Sequence, residues 1–110
     1  MSYIPERGDI IWLNFDPSSG REIIKRRPAY VISQKLFNEH TGMAFVAPIT
    51  STIRGIKLEV VLEDNLKTRG AILVHQMKSL DFTQREAQFI ERVSQITINQ
   101  VKTVLRAITE

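Results

Sequence analysis

A mainly antiparallel β domain, a small closed or nearly closed barrel finished by one C-terminal helix, is what the 110-residue sequence predicts. Three observations carry that expectation. Short apolar runs recur along the chain, each bounded by turn-forming residues, which is the pattern of an all-β domain rather than of alternating strands and helices. The last segment has a helical period throughout: Ile98, Val101, Val104, Leu105 and Ile108 fall on one stripe. The length and the 43% apolar and 25% charged composition fit a single domain over residues 1–110 with one core.

The elements follow in order. Met1 to Arg7 reads as an extended lead-in. Asp9 to Phe15 alternates Ile11, Leu13 and Phe15 on one face with Ile10 and Trp12 on the other, so the strand is apolar on both sides and mostly buried. Pro28 is expected to open the second strand, since its missing N–H is tolerated there. Gln34 to Thr41 breaks the period of two and reads as a helical turn with Leu36 and Phe37 facing in, ended by Gly42. Met43 to Ile49 is a third apolar run, terminated by Pro48 and the polar group Thr50, Ser51 and Thr52. Leu58 to Leu62 is a fourth, and Asp64 and Asn65 turn the chain after it. Arg69 and Gly70 open a fifth, Ala71 to Val74, on whose continuation Ala71, Leu73 and His75 share one face. Phe82 to Ser94 supports two readings, a helix started by a Thr83/Glu86 capping box or a strand near Ala87 to Val93. For the last helix, Thr97 and Gln100 fit a capping box.

Bulk properties exclude several classes. There is no cysteine, which removes disulfides and thiolate metal sites. No stretch approaches the roughly 20 apolar residues of a membrane span, and Met1 to Asp9 lacks a basic segment followed by an apolar one. A cytoplasmic location is therefore expected. Fifteen Lys and Arg against twelve Asp and Glu give a net charge of +3 and a pI near 9.5. The positive charge is concentrated: Arg21, Lys25, Arg26, Arg27 and Lys35 face the single acid Glu22 between residues 21 and 35. Such a run serves a solvated loop or a polyanionic ligand. Two histidines far apart in sequence, with no paired-carboxylate motif, give no metal site. Neither a Ser-His-Asp pattern, a phosphate-binding glycine loop nor a dinucleotide fingerprint is present.

The stretch Gly8 to Ser33 gathers the suspicious chemistry into one polar connection between two apolar runs. It carries Gly8, Asp9, Asp16, Pro17, Gly20, Glu22, Arg27, Pro28 and Ser33, and two further blocks follow: Pro48-Ile49-Thr50-Ser51 and Gln76-Met77-Lys78-Ser79-Leu80-Asp81. In this order and spacing the three blocks resemble the MazF/PemK/Kid family of ribonuclease toxins. The resemblance implies an SH3-like barrel with a C-terminal helix, PemK/CcdB-like, and a strand rather than a helix near Ala87 to Val93. It also implies a sequence-specific endoribonuclease that cuts single-stranded RNA without a metal or cofactor, leaving a cyclic phosphate and a 5′-hydroxyl. Family members are toxins that pair as homodimers and are silenced by an antitoxin with a disordered acidic tail.

In such a reaction the substrate's 2′-OH attacks phosphorus, so the protein supplies a base, an acid for the leaving 5′-oxygen and positive charge for the phosphorane. Arg27 and Thr50 match the family's catalytic Arg and Thr. The Arg27 guanidinium suits phosphate oxygens and acts mainly by electrostatic stabilisation. Glu22 matches the loop carboxylate, and two roles stay open for it: pairing with Lys25 or Arg26, or orienting Arg27 and accepting a proton. His75 departs from the pattern, standing where relatives place Asp or Glu; it is either structural or a substitute base. His40, in a polar segment, is uninvolved. RNA contacts are expected from Gly20, Arg21, Lys25, Arg26, Ser51, Lys57, Gln76 and Lys78. A gyrase-poisoning, non-enzymatic toxin on the same fold is the alternative, and a catalytically silent interaction module a third reading.

Overall fold

In the computed structural model, residues 3–15 and 26–110 are described. Gly20, Arg21, Glu22 and Lys25 lie outside them. The apolar runs form strands β1 (Asp9–Asn14), β2 (Arg26–Val31), β3 (Met43–Thr50), β4 (Glu59–Val61) and β5 (Ala71–Leu73), then β6 (Lys78–Asp81) and β7 (Gln88–Arg92). Helix α1 is Lys35–Thr41 and α2 is Gln95–Thr109. All strand pairs are antiparallel, in the order β4-β5-β3-β2-β1-β7, with β6 added to the other half of β3. Among the described residues no pairing joins β4 to β7, so the sheet stays open where the sequence allowed for closure.

Alternation along β1 to β3 divides the apolar residues between two cores. Ile10, Tyr30, Ala47 and Ile49 pack with β4, β5 and the α2 residues Ile98 and Val101. On the opposite face Ile11, Leu13, Ala29, Val31, Ala44 and Val46 pack with Leu80 and Phe82. This is why the early runs are apolar on both sides. Gly8 lets the chain enter between the layers. Its φ is +94°, and a Cβ there would meet the Ile98 side chain at 2.7 Å. The next residue, buried Asp9, accepts from the Tyr3 hydroxyl, from the Glu6 N–H at 3.0 Å and from Arg92 at 2.9 Å. Gly8 and Asp9, the first residues of the family block, are thus structural.

Two prolines set where the ladders stop. Phe45 turns its N–H and carbonyl toward β2, donating to Ser33 and accepting from Ile32, so alternation aims the Pro48 nitrogen the other way. There it falls between the β6 partners, which end at Val46, and the β5 partners, which begin at Ile49. Pro28 is the third residue of β2 rather than its first. By the same alternation its missing donor faces β3, just past Ala29–Pro48, the last β2–β3 pair on that side.

Several local expectations are corrected. Leu36 and Phe37 are 64% and 42% exposed. The inward residue of α1 is Asn38, whose amide donates to the Pro5 and Ser33 carbonyls. Gly42 does end α1, at φ +72°. Thr83 and Glu86 start no helix: Glu86 has φ +55° in a turn held by Asp81, and β7 follows. The cap of α2 is Ser94, whose Oγ accepts from Thr97 N–H. Thr97 lies one turn inside, its hydroxyl donating to Glu63. The fifth strand stops at Leu73, and Val74–Gln76 form a 3-10 turn. His75 therefore does not share a strand face with Ala71 and Leu73.

Candidate active site

Strand register, not proximity in sequence, puts the two principal candidates at the same end of the β2–β3 pair. The β2–β3 pairs are Ala29–Pro48, Tyr30–Ala47 and Val31–Val46. Continued two residues past the last pair, this register sets Arg27 opposite Thr50. Alternation puts Arg27 on the face of Ala29 and Val31, and Thr50 on that of Val46. Pro28 ends the ladder between them, so their strands are free to open at this end. Arg27 is exposed and Thr50 half-buried, as expected of groups that meet a solvent-borne phosphate.

Thr50 is held on two sides. Its Oγ1 accepts from the Thr52 N–H at 3.1 Å, which leaves the hydroxyl proton to donate outward. Its backbone abuts Gly70: a Cβ at residue 70 would stand 1.9 Å from the Thr50 carbonyl oxygen, and φ there is +120°. Only glycine meets both demands. The sequence marked Gly70 as the opening of a strand; its contact with Thr50, 20 residues away, was not visible. The segment after Thr50 is tied by buried Glu59, whose carboxylate accepts from the Arg54 N–H at 3.1 Å.

Of the RNA-binding candidates, Lys78 joins this face. It pairs with Val46 and shares its side of β6 with Leu80, a member of the same core. Ser51 is exposed directly beyond Thr50, and Lys57 is exposed ahead of β4. Arg26 turns to the opposite face and is committed there, donating to Asn14 Oδ1 at 3.0 Å, the Glu86 carbonyl at 2.7 Å and Gln88 Oε1 at 3.3 Å. His75 and Gln76 are exposed on the 3-10 turn. That turn packs against α2, which covers the core on the other side of the sheet from Arg27 and Thr50.

Likeness to known proteins is specific. Residues 6–109 match the family described as PemK-like, MazF-like toxin of type II toxin–antitoxin system. The chain belongs to this family. It is 40% identical to the endoribonuclease toxin MazF of Escherichia coli K12 over 85 residues, 77% of this chain and 76% of that one. Against the endoribonuclease toxin ChpB of the same strain it is 34% identical over 111 residues, covering 96% and 94%. Its fold superposes on a chain in the crystal structure of MazE–MazF (form II) from Deinococcus radiodurans with a TM-score of 0.91, at 33% identity, over 98% of this chain and 97% of the other. No helix among the described residues is long and apolar enough to cross a membrane.

Proposed function

We infer that the chain is the toxin of a type II toxin–antitoxin pair, an endoribonuclease that cuts single-stranded RNA at a short sequence without a metal. The observation that supports the reading is the β2–β3 register, which, continued two residues past its last pair, Ala29–Pro48, brings Arg27 level with Thr50. In the reaction the 2′-oxygen bonds to phosphorus while its proton passes to a base, then the bond to the 5′-oxygen breaks and that oxygen takes a proton. The products are a 2′,3′-cyclic phosphate and a 5′-hydroxyl. Arg27 neutralises charge gathering on the phosphorane oxygens, and the Thr50 hydroxyl donates to one of them. Lys78 extends the positive face along the strand.

The family match supports an antitoxin partner, and the Deinococcus relative is crystallised as MazE–MazF. For this chain we propose a homodimer and an antitoxin whose acidic, disordered tail competes with RNA for the basic face. Glu22 is the proposed base. The turn carrying His75 is packed on the α2 side, so His75 belongs to the rim. The decisive assay incubates purified protein with a long mixed-sequence RNA in EDTA. Discrete cuts ending in cyclic phosphate are expected, and intact RNA would return the protein to the gyrase-poisoning or silent readings. In single-turnover cleavage between about pH 5 and 9, His75→Gln should keep the rate and its inflection, whereas Glu22→Gln should lose at least about tenfold. The opposite pattern would move the base to His75.

A further inference from the structure

A second group of cations lies away from Arg27 and Thr50. A cavity of about 300 Å³ opens between the lead-in, the start of α1 and the side of α2, where Arg7, Arg92 and Lys102 line it with the amides of Gln34 and Gln95. On α2, Gln95, Ile98 and Lys102 stand at i, i+3 and i+7, so one face of the helix forms a wall. Both arginines are anchored. Arg7 donates through Nε to the Ile32 carbonyl at 3.2 Å, and Arg92 through Nη1 to Asp9 Oδ1 at 2.9 Å. A guanidinium carries five N–H donors, so most of each fork is left over and already oriented. Gly8 makes room for one of them: the Arg92 guanidinium carbon lies 3.5 Å from where a Cβ on residue 8 would stand.

The nearby acids are occupied. Glu6, the one acid on the lining, accepts from the Arg7 and Lys35 N–H groups at 3.0 and 2.9 Å. Asp9, beneath Arg92, is buried and accepts from Tyr3 and the Glu6 N–H as well. Among the described residues Arg92–Asp9 is the one ion pair, which leaves Arg7 and Lys102 without a carboxylate partner.

We propose that this cavity binds one small phosphate dianion, either inorganic phosphate or the phosphomonoester end of a metabolite. Two oriented forks and an ammonium suit the oxygens of a tetrahedral dianion, and Gln34 and Gln95 add neutral donors. Among the described residues no aromatic side chain lines the cavity, so a base finds no ring to stack on. Position separates the cavity from the cleavage site. Strand β1 pairs Leu13 with Arg27 and Asp9 with Arg92, four residues apart or about 13 Å at about 3.3 Å per residue. Ile98 belongs to the core on the other sheet face from Arg27. A bound phosphate would link the lead-in, β7 and α2, and so stabilise the docking of α2. Nothing in the site depends on whether the chain cuts RNA.

Calorimetric titration of the full chain with orthophosphate, at mildly alkaline pH and constant ionic strength, should show one saturable site per chain. Lys102→Glu and Arg7→Gln should each weaken binding at least tenfold. Arg106→Glu makes the same charge change one turn further along α2, outside the lining, and should stay within threefold. Phosphate should raise the melting temperature of the wild type and leave that of Lys102→Glu unmoved. Ribose 5-phosphate separates the sources: tighter binding than orthophosphate names an ester, and equal or weaker binding names free phosphate. No saturable heat overturns the proposal. Equal weakening by Lys102→Glu and Arg106→Glu also overturns it, leaving a diffuse ion atmosphere only. Saturating, uncleavable 2′-O-methyl RNA should leave the phosphate midpoint within twofold, and a tenfold rise would overturn the proposal in favour of an RNA backbone contact.

Discussion

Arg27 and Thr50 lie 23 positions apart in sequence, and each owes its placement to a neighbour that lacks a group: Pro28, without an N–H, ends the ladder beside them, and Gly70, without a Cβ, lets β5 come up against the Thr50 carbonyl. Arg27→Ala and Thr50→Ala should each lower RNA cleavage at least about tenfold, roughly 1.4 kcal/mol of transition-state stabilisation, with circular dichroism and melting temperature close to wild type. Gly70→Ala should also lower the cleavage rate by about tenfold or more, because the added carbon displaces Thr50. Gly42→Ala is the control. Its φ is also positive, at +72°, but it has nothing within 4 Å, so it should cost about 1 kcal/mol of stability and leave cleavage unchanged. Equal losses of activity in the two variants would mean that backbone strain alone, not contact with Thr50, is responsible. The Arg-Pro and Pro-Ile-Thr-Ser steps marked Arg27 and Thr50 as candidates in the sequence. Gly70 was legible only as the opening of a strand, since a close approach between distant segments has no local signature.

Helix α2 shows how an element can be recognised while its start is misplaced. Of the apolar stripe, Ile98 and Val101 are buried and Val104 and Leu105 pack beside them, while Ile108 in the last turn is exposed. Thr97 and Gln100 imitate a capping box three residues past the true cap, Ser94, which Glu63 selects from 31 residues upstream. Glu63 accepts from the Ser94 N–H and hydroxyl and from the Thr97 hydroxyl. The Thr97 hydrogen bond, ahead of those from Ser94, holds the Glu63 carboxyl below its ordinary range. A depressed folded value means that this stabilisation is present at neutral pH and is lost as pH falls below the unfolded value of about 4.3. Urea unfolding followed from pH 7 to 3 should therefore show a shallower acid loss in Glu63→Gln than in wild type. At pH 7, Ser94→Ala should cost about 1 kcal/mol. An unchanged acid limb in Glu63→Gln would assign the cap to Ser94 alone.

Across the whole molecule, the shared sheet ties two cores to one another. Among the described residues Tyr30 is the largest side chain sealed inside, 1% exposed, in the core that α2 covers. Burial, reinforced by the charge of Asp9 against the pull of Arg7 and Arg92, raises its phenol from 10.0 to about 12. A raised folded value means full stabilisation below pH 10 and progressive loss as pH climbs through about 12. Two units correspond to roughly 2–3 kcal/mol, so guanidinium unfolding between pH 8 and 12 should show an alkaline decline that Tyr30→Phe reduces. Tyr3 is pushed in the same direction, by burial and by its hydrogen bond to Asp9, and would leave a residual decline in that variant. A wild type whose stability is flat to pH 12 would contradict a sealed Tyr30.

By itself the sequence determined the first five strands in order, most of the helical stripe of α2, the Gly42 stop and the family blocks, because periodicity, turn chemistry and short motifs are local properties; β6, Lys78–Asp81, was not read as a strand. Burial on both faces of β1 was equally plain in its unbroken apolar run. Tertiary structure decided what depends on register and on contacts between distant segments. The β2–β3 register set Arg27 against Thr50 and turned its neighbour Arg26 to the far face. Packing against α2 converted the end of the fifth strand into a turn and carried His75 away from its expected face. The exposure of Leu36 and Phe37 likewise followed from Asn38, whose bonds to Pro5 and Ser33 fix which side of a two-turn helix faces in. A helix that short has too few residues for apolar periodicity to outweigh one buried polar anchor.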